Sequence, residues 1–154
     1  MKRRTIAKTF AIAALTVLAG AIAPAANAAD KGCSNSYIKG TFAFKATGSM
    51  ISPTGIFLLD VVFVQTFDGN GALTATGVQS HNGDILQVTQ TGTYAVNSDC
   101  TGTYTVKVAP IGATVQFFFV IADSGNELKV ISTNSGLVLA GTARRQFPAG
   151  DWRQ

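Results

Sequence analysis

Turn-forming clusters recur along this chain at spacings that leave room for little except β-strands. Asp68-Gly69-Asn70-Gly71, Asn82-Gly83-Asp84, Asn97-Ser98-Asp99, Asp123-Ser124-Gly125-Asn126 and Thr133-Asn134-Ser135-Gly136 separate runs rich in Val, Thr, Phe and Tyr. Gly, Asn and Asp tolerate the positive φ that tight hairpins require. The spacing predicts eight strands, over residues 40–47, 55–67, 72–80, 85–96, 103–108, 114–122, 127–133 and 137–144. Only the first connection is longer than a tight turn. A sheet of consecutive hairpins must close or fold over, because bare strand edges pair with other chains. Short connections favour an all-β, eight-stranded antiparallel up-and-down barrel. The alternative, a β-sandwich, needs Greek-key crossings and longer loops.

The first 28 residues read as a secretory signal peptide. Lys2, Arg3, Arg4 and Lys8 precede an apolar run from Phe10 to Ile22, then Pro24 and Ala26-Asn27-Ala28. That pattern places cleavage between Ala28 and Ala29 and makes residues 29–154 a single exported barrel domain, periplasmic or extracellular. Four of the twelve Lys and Arg lie in the signal. The remaining eight balance the eight Asp and Glu, so the formal +4 of the whole chain belongs to export. It gives no support to a nucleic-acid partner. The apolar run is short for a membrane anchor, and no span is expected after signal removal.

Two cysteines, Cys33 and Cys100, read as a disulfide in an exported chain. The bridge is expected to pin the N-terminal segment to the hairpin end at 97–102. It closes a loop of about 68 residues, worth on the order of 4 kcal/mol in the chain-entropy model. With His81 the only imidazole, the pair makes a poor metal site. Asp68-Gly69-Asn70-Gly71 resembles part of a calcium loop but lacks the remaining oxygen ligands. Neither a metal nor a cofactor is implied.

Alternation gives faces to some strands and not to others. In the fifth, Tyr104, Val106 and Val108 oppose Thr103, Thr105 and Lys107. The second carries Phe57, Leu59, Val61, Phe63 and Phe67 on one face. On the other it carries Ile56, Leu58, Val62 and Val64, interrupted by Asp60. The sixth sets Val115, Phe117, Phe119 and Ile121 against Phe118 and Val120. Strands apolar on both faces are expected to be covered on both. An outer-membrane barrel would provide lipid as that cover. It requires Lys107, Glu127 and Lys129 to face the lumen.

The stretches Phe67–Thr74, Ser80-His81-Asn82-Gly83 and Gly92–Thr103 resemble small exported bacterial proteins whose barrels are similar to the allene oxide cyclase and lipocalin type. The resemblance implies a calycin-like barrel. In the wider group such barrels bind apolar small molecules or catalyse cyclisations in the cavity. Its motifs are turn and strand chemistry, so no catalytic residue is carried over.

Candidate chemistry is sparse. Asp60, among apolar neighbours, reads either as a cavity acid or as a solvent-facing or ion-paired carboxylate. His81, beside Asn82-Gly83, reads as an exposed turn histidine, because neighbours along a hairpin do not give triad geometry. Gln65, Gln87, Gln90 and Gln116 are candidate polar contacts in an apolar cavity. Arg144 and Arg145 alternate faces, and an inward arginine would suit a carboxylate ligand. The expected ligand-binding set is Asp60, Phe63, Gln65, Tyr94, Tyr104, Phe117, Phe119 and Arg144. Three functions follow: binding of a small apolar or amphipathic molecule inside the barrel, a cofactor-free cyclase or isomerase using Asp60 and a tyrosine, or a structural protein that self-assembles through its apolar outer strand faces.

Overall fold

The computed structural model describes residues 32–147; the signal-like segment and its cleavage site lie outside them. Eight strands run β1 (Gly40–Ser52), β2 (Gly55–Phe67), β3 (Ala72–His81), β4 (Asp84–Val96), β5 (Thr101–Ala109), β6 (Ala113–Ala122), β7 (Glu127–Ser132) and β8 (Leu137–Arg145). Each pairs antiparallel with the next, and β1 pairs with β8 from Phe42↔Arg145 to Met50↔Leu137. The sheet is therefore a closed up-and-down barrel. The sandwich alternative is excluded by that last pairing.

Turn chemistry sets the register. Asn82 (φ 49°) and Gly83 (φ 100°) form the two-residue β3–β4 connection. Positive φ at both central positions matches the right-handed twist of the flanking strands. Asn82 Oδ1 also accepts from the Leu58 N–H at 2.8 Å, tying this hairpin to β2. Asp68 Oδ1 accepts from the backbone N–H groups of Asn70, Gly71 and Ala72 at 2.7–2.9 Å. Asp68-Gly69-Asn70-Gly71 is thus a hairpin turn whose carboxylate is engaged by its own backbone.

β1 runs five residues beyond the expected end, and its connection to β2 is the tight Pro53-Thr54 turn. Gly48-Ser49 reads as a strand end in sequence because glycine weakens strands. In the barrel Gly48 is a crossing point, since a Cβ there would overlap the Val138 carbonyl of β8.

Side-chain parity follows the pleat. Phe42, Phe44, Leu59, Val61, Phe63, Phe67, Leu73, Val88, Tyr94, Tyr104, Val106, Phe117, Phe119, Leu128, Val130 and Leu139 are buried in one interior cluster. The outer wall carries threonines together with Lys45, Lys107 and Lys129, all exposed apart from the half-buried Thr41, Thr101, Thr105 and Thr142. Lys107, Lys129 and Glu127 therefore do not line a lumen, because their strands present Val106, Val108, Leu128 and Val130 inward. Lys129 instead pairs with Glu127 at 2.7 Å on the outer face. The expectation that β2 and β6 are covered on both faces is not met among the described residues. Ile56, Leu58, Val62, Val64, Phe118 and Val120 are exposed.

Candidate functional site

The two ends of the barrel differ. One is sealed. A short 3-10 helix, Asn35–Ile38, places Ile38 fully buried against the end of the core. The Cys33–Cys100 disulfide, with Cα atoms 4.9 Å apart, holds this segment to the β4–β5 turn. The Cys33 N–H donates to the Ser98 carbonyl at 3.2 Å, and the Val96 N–H donates to Asn35 Oδ1 at 2.8 Å. Arg145 completes the seal. Its guanidinium lies 4.6 Å from the Phe42 ring centroid and donates to the carbonyls of Lys39 (2.6 Å) and Gly125 (3.0 Å). The cation lies over an aromatic face with its donors engaged by backbone carbonyls, which closes this end of the barrel.

Aromatic packing fills the adjoining half of the interior. The pairing Tyr94↔Tyr104↔Phe117 carries three rings across β4, β5 and β6. Tyr104 stacks on Phe117 at 4.6 Å, Phe67 meets Tyr94 edge-on at 5.0 Å, and Phe42 meets Phe67 edge-on at 5.5 Å. The Tyr94 hydroxyl donates to the Asn35 carbonyl at 3.2 Å and accepts from the Gly69 N–H at 2.8 Å. Burial raises its pKa, with nearby Asp68 adding to the shift. Tyr104 is sealed in this cluster. Burial raises its hydroxyl far above the usual tyrosine range, and the Gln65 side chain nearby offsets only part of that shift. Among the described residues, no hydrogen bond satisfies the Tyr104 hydroxyl or Gln65 Oε1.

The opposite half is hollow. A cavity of about 100 Å³ opens at the end formed by the β1–β2, β3–β4, β5–β6 and β7–β8 turns. Its walls are Leu59, Val61, Val108, Ala113, Val115, Leu137 and Leu139, with Phe63 and Phe117 at the boundary with the filled half and Met50 and Ile111 at the lip. Three polar side chains enter it: Gln79, His81 and Gln90. A shallower depression continues over the β3–β4 hairpin, sharing Gln79, His81 and Ile111 and adding Asp84, Ile85 and Leu86. Pockets for drug-sized ligands run to roughly 300–1,000 Å³, whereas a dry cavity of about 150 Å³ accepts benzene. At about 100 Å³ the void is smaller than both and is open at its mouth, so it suits a short chain, the end of a longer molecule, or a small ring that projects in part from the mouth.

The sequence-derived residues divide sharply. Phe63 and Phe117 border the cavity, whereas Gln65, Tyr94, Tyr104 and Phe119 face inward but lie in the filled half. Asp60 and Arg144 are exposed on the outer wall. β2 is apolar on both faces, so its alternation does not say which parity lines the barrel, and Asp60 follows the outward parity of Leu58 and Val62. Arg144 follows Val138 and Ala140 outward, while Arg145 turns in only at the sealed end. An inward cavity acid and an inward carboxylate-binding arginine are both corrected by these positions. His81 also departs from expectation. It is half-buried at the mouth because it continues the inward parity of Leu73, Ala75 and Gln79. That parity was available in the sequence, as it was for Gln79, Leu137 and Leu139. Of the other glutamines considered, Gln87 and Gln116 face water.

No family model matches the chain, and no curated protein matches it.

Proposed function

We propose that this is an exported carrier or receptor barrel that takes a small apolar or amphipathic group into its open half. The observation that carries the reading is the division of one interior into an aromatic-filled end and an apolar cavity with a mouth. A barrel that needed only stability would gain by filling both halves, because voids forfeit packing. Export is supported by the signal-like N-terminus and by a disulfide, a bond that persists in oxidising compartments. Kinship with the calycin-like exported proteins is part of the same reading and rests on the shared turn and strand motifs. Outward lysines and an apolar interior reverse the pattern of a membrane-spanning barrel. Cyclase or isomerase chemistry by Asp60 and a tyrosine is disfavoured, since Asp60 lies outside the barrel wall and Tyr94 and Tyr104 inside the aromatic cluster.

Calorimetry with benzene-sized probes tests the proposal. Saturable binding is expected, and it should be lost in Ala113→Leu, whose added carbons occupy the cavity while the melting temperature holds. Undiminished binding in that variant would locate the probe elsewhere.

A second reading is favoured by one feature of the outer wall. Ile56 and Leu58 are 67% and 65% exposed, and Val62 and Val64 continue the strip along β2. Asp60 sits within it, and Lys45 lies across from Val62 on β1. A surface bearing apolar groups and both charge signs carries the complementary groups that a two-fold interface pairs with each other. We infer that a second copy packs here. Sedimentation should give a dimer that Val62→Lys dissociates; a wild-type monomer at high concentration removes the idea.

A further inference from the structure

Aliphatic side chains surround the open end of the barrel, with no cover among the described residues. Ile51, Ile56, Ile85, Ile111 and Val138 are each 48–67% exposed. Each lies in a turn or within two residues of one. They come from all four connections at that end, so they ring the mouth rather than forming a patch on the wall. Ile85 and Ile111 also line the depression that runs into the cavity. Rim and interior are thus one continuous apolar surface. Charge divides between the two ends just as sharply. Asp84 is the single charged side chain in the four open-end connections, with His81 beside it. The sealed end carries Lys39, Asp68, Asp99, Asp123, Glu127 and Arg145.

We propose that the open end docks on the surface of a neutral lipid bilayer, which lets an apolar group pass between lipid and cavity without crossing water. Separate tips around an opening suit a deformable partner. The interfacial layer of a bilayer closes round each apolar side chain. A protein partner needs a packed, complementary patch, and here the mouth interrupts it. Docking is shallow, because the turn backbones must keep polar partners. The surface is neutral, because the rim offers no lysine or arginine to an anionic headgroup. This goes beyond the cavity-binding function and is tested apart from it, without added ligand.

Flotation with phosphatidylcholine vesicles is the assay, using the exported protein with its N-terminus at Ala29 verified by mass. The apolar run from Phe10 to Ile22 then contributes nothing. Saturable association is expected, unchanged by high salt or by adding phosphatidylglycerol. An Ile85→Ser, Ile111→Ser double variant should lower the partition coefficient at least about tenfold, since each removes an inserted aliphatic side chain. Val120→Ser, on the outer wall towards the sealed end, should leave it unchanged. If the double variant does not fold, Ile51→Ser and the wild-type lipid comparison decide. No flotation with phosphatidylcholine, or undiminished flotation of the folded double variant, would overturn the proposal. Binding that requires phosphatidylglycerol and is lost in salt would replace it with adsorption through the wall lysines. A lipid-free dimer that the double variant dissociates would assign the rim to a second copy instead.

Discussion

Removing the Cys33–Cys100 bridge measures how firmly the sealed end depends on its N-terminal plug. The bridge spans 67 positions of sequence. Closing a loop of that size removes about 15 cal/mol/K of chain entropy from the unfolded state, or about 4 kcal/mol at room temperature. The 116 described residues imply an unfolding entropy of about 0.24 kcal/mol/K, so the loss corresponds to a drop in melting temperature of roughly 15–20 °C. The same change frees the segment whose contacts include Cys33 N–H to Ser98 O and Val96 N–H to Asn35 Oδ1. The assay is calorimetry of the oxidised protein against a Cys33→Ser, Cys100→Ser double variant, with thiol titration confirming the oxidised state. Probe binding should survive at low temperature, since the cavity lies at the other end of the barrel. A drop of less than about 5 °C would refute the entropic reasoning. Loss of binding below the melting transition would refute the independence of the two ends.

Tyr104→Phe should be neutral or stabilising by up to about 1 kcal/mol in denaturant unfolding, because the hydroxyl it removes is buried without a partner. A loss above about 1.5 kcal/mol would mean that the hydroxyl is satisfied. Gly92→Ala should cost about 2–3 kcal/mol and favour aggregation, since a Cβ there overlaps the Thr105 carbonyl and forces β4 from β5; wild-type stability would contradict that close approach. The N–H groups of Asn70, then Ala72 and Gly71, hold the Asp68 carboxyl below its ordinary pKa. A depressed carboxyl stabilises the fold above its unfolded pKa and loses that contribution as pH falls through the folded value. The stability gap between wild type and Asp68→Asn should therefore be fullest near neutrality and close below about pH 4. A gap that widens in acid would contradict the sign.

Much of the architecture is written locally. Asn82-Gly83 can hardly be anything but a tight hairpin, and five of the seven connections announce themselves through such residues, while β1–β2 reads as longer than the tight turn it is. β5 and β7 declare their inward faces because Lys107, Lys129 and Glu127 interrupt the other side. β2 does not, since Ile, Leu and Val occupy both faces, and the misplacement of Asp60 follows directly. Gly48 misleads for a different reason: its lack of a Cβ serves a contact with β8, about 90 residues away in sequence, rather than a break. The contrast between filled and hollow ends is a product of cross-strand register. Tyr94, Tyr104 and Phe117 meet only because three strands align them, while Gln79, Val108 and Leu139 converge from strands that no local pattern connects.

The central claim is that one half of this barrel is built to be occupied. Methyl-resolved nuclear magnetic resonance during a phenol titration tests it most directly. Saturable shifts are predicted at Leu59, Val61, Val108, Leu137 and Leu139, which line the cavity, with Leu73, Val106 and Leu128 in the filled half unmoved. Shifts confined to Ile56, Leu58 and Val62 on the outer wall, or none that saturate, would contradict it.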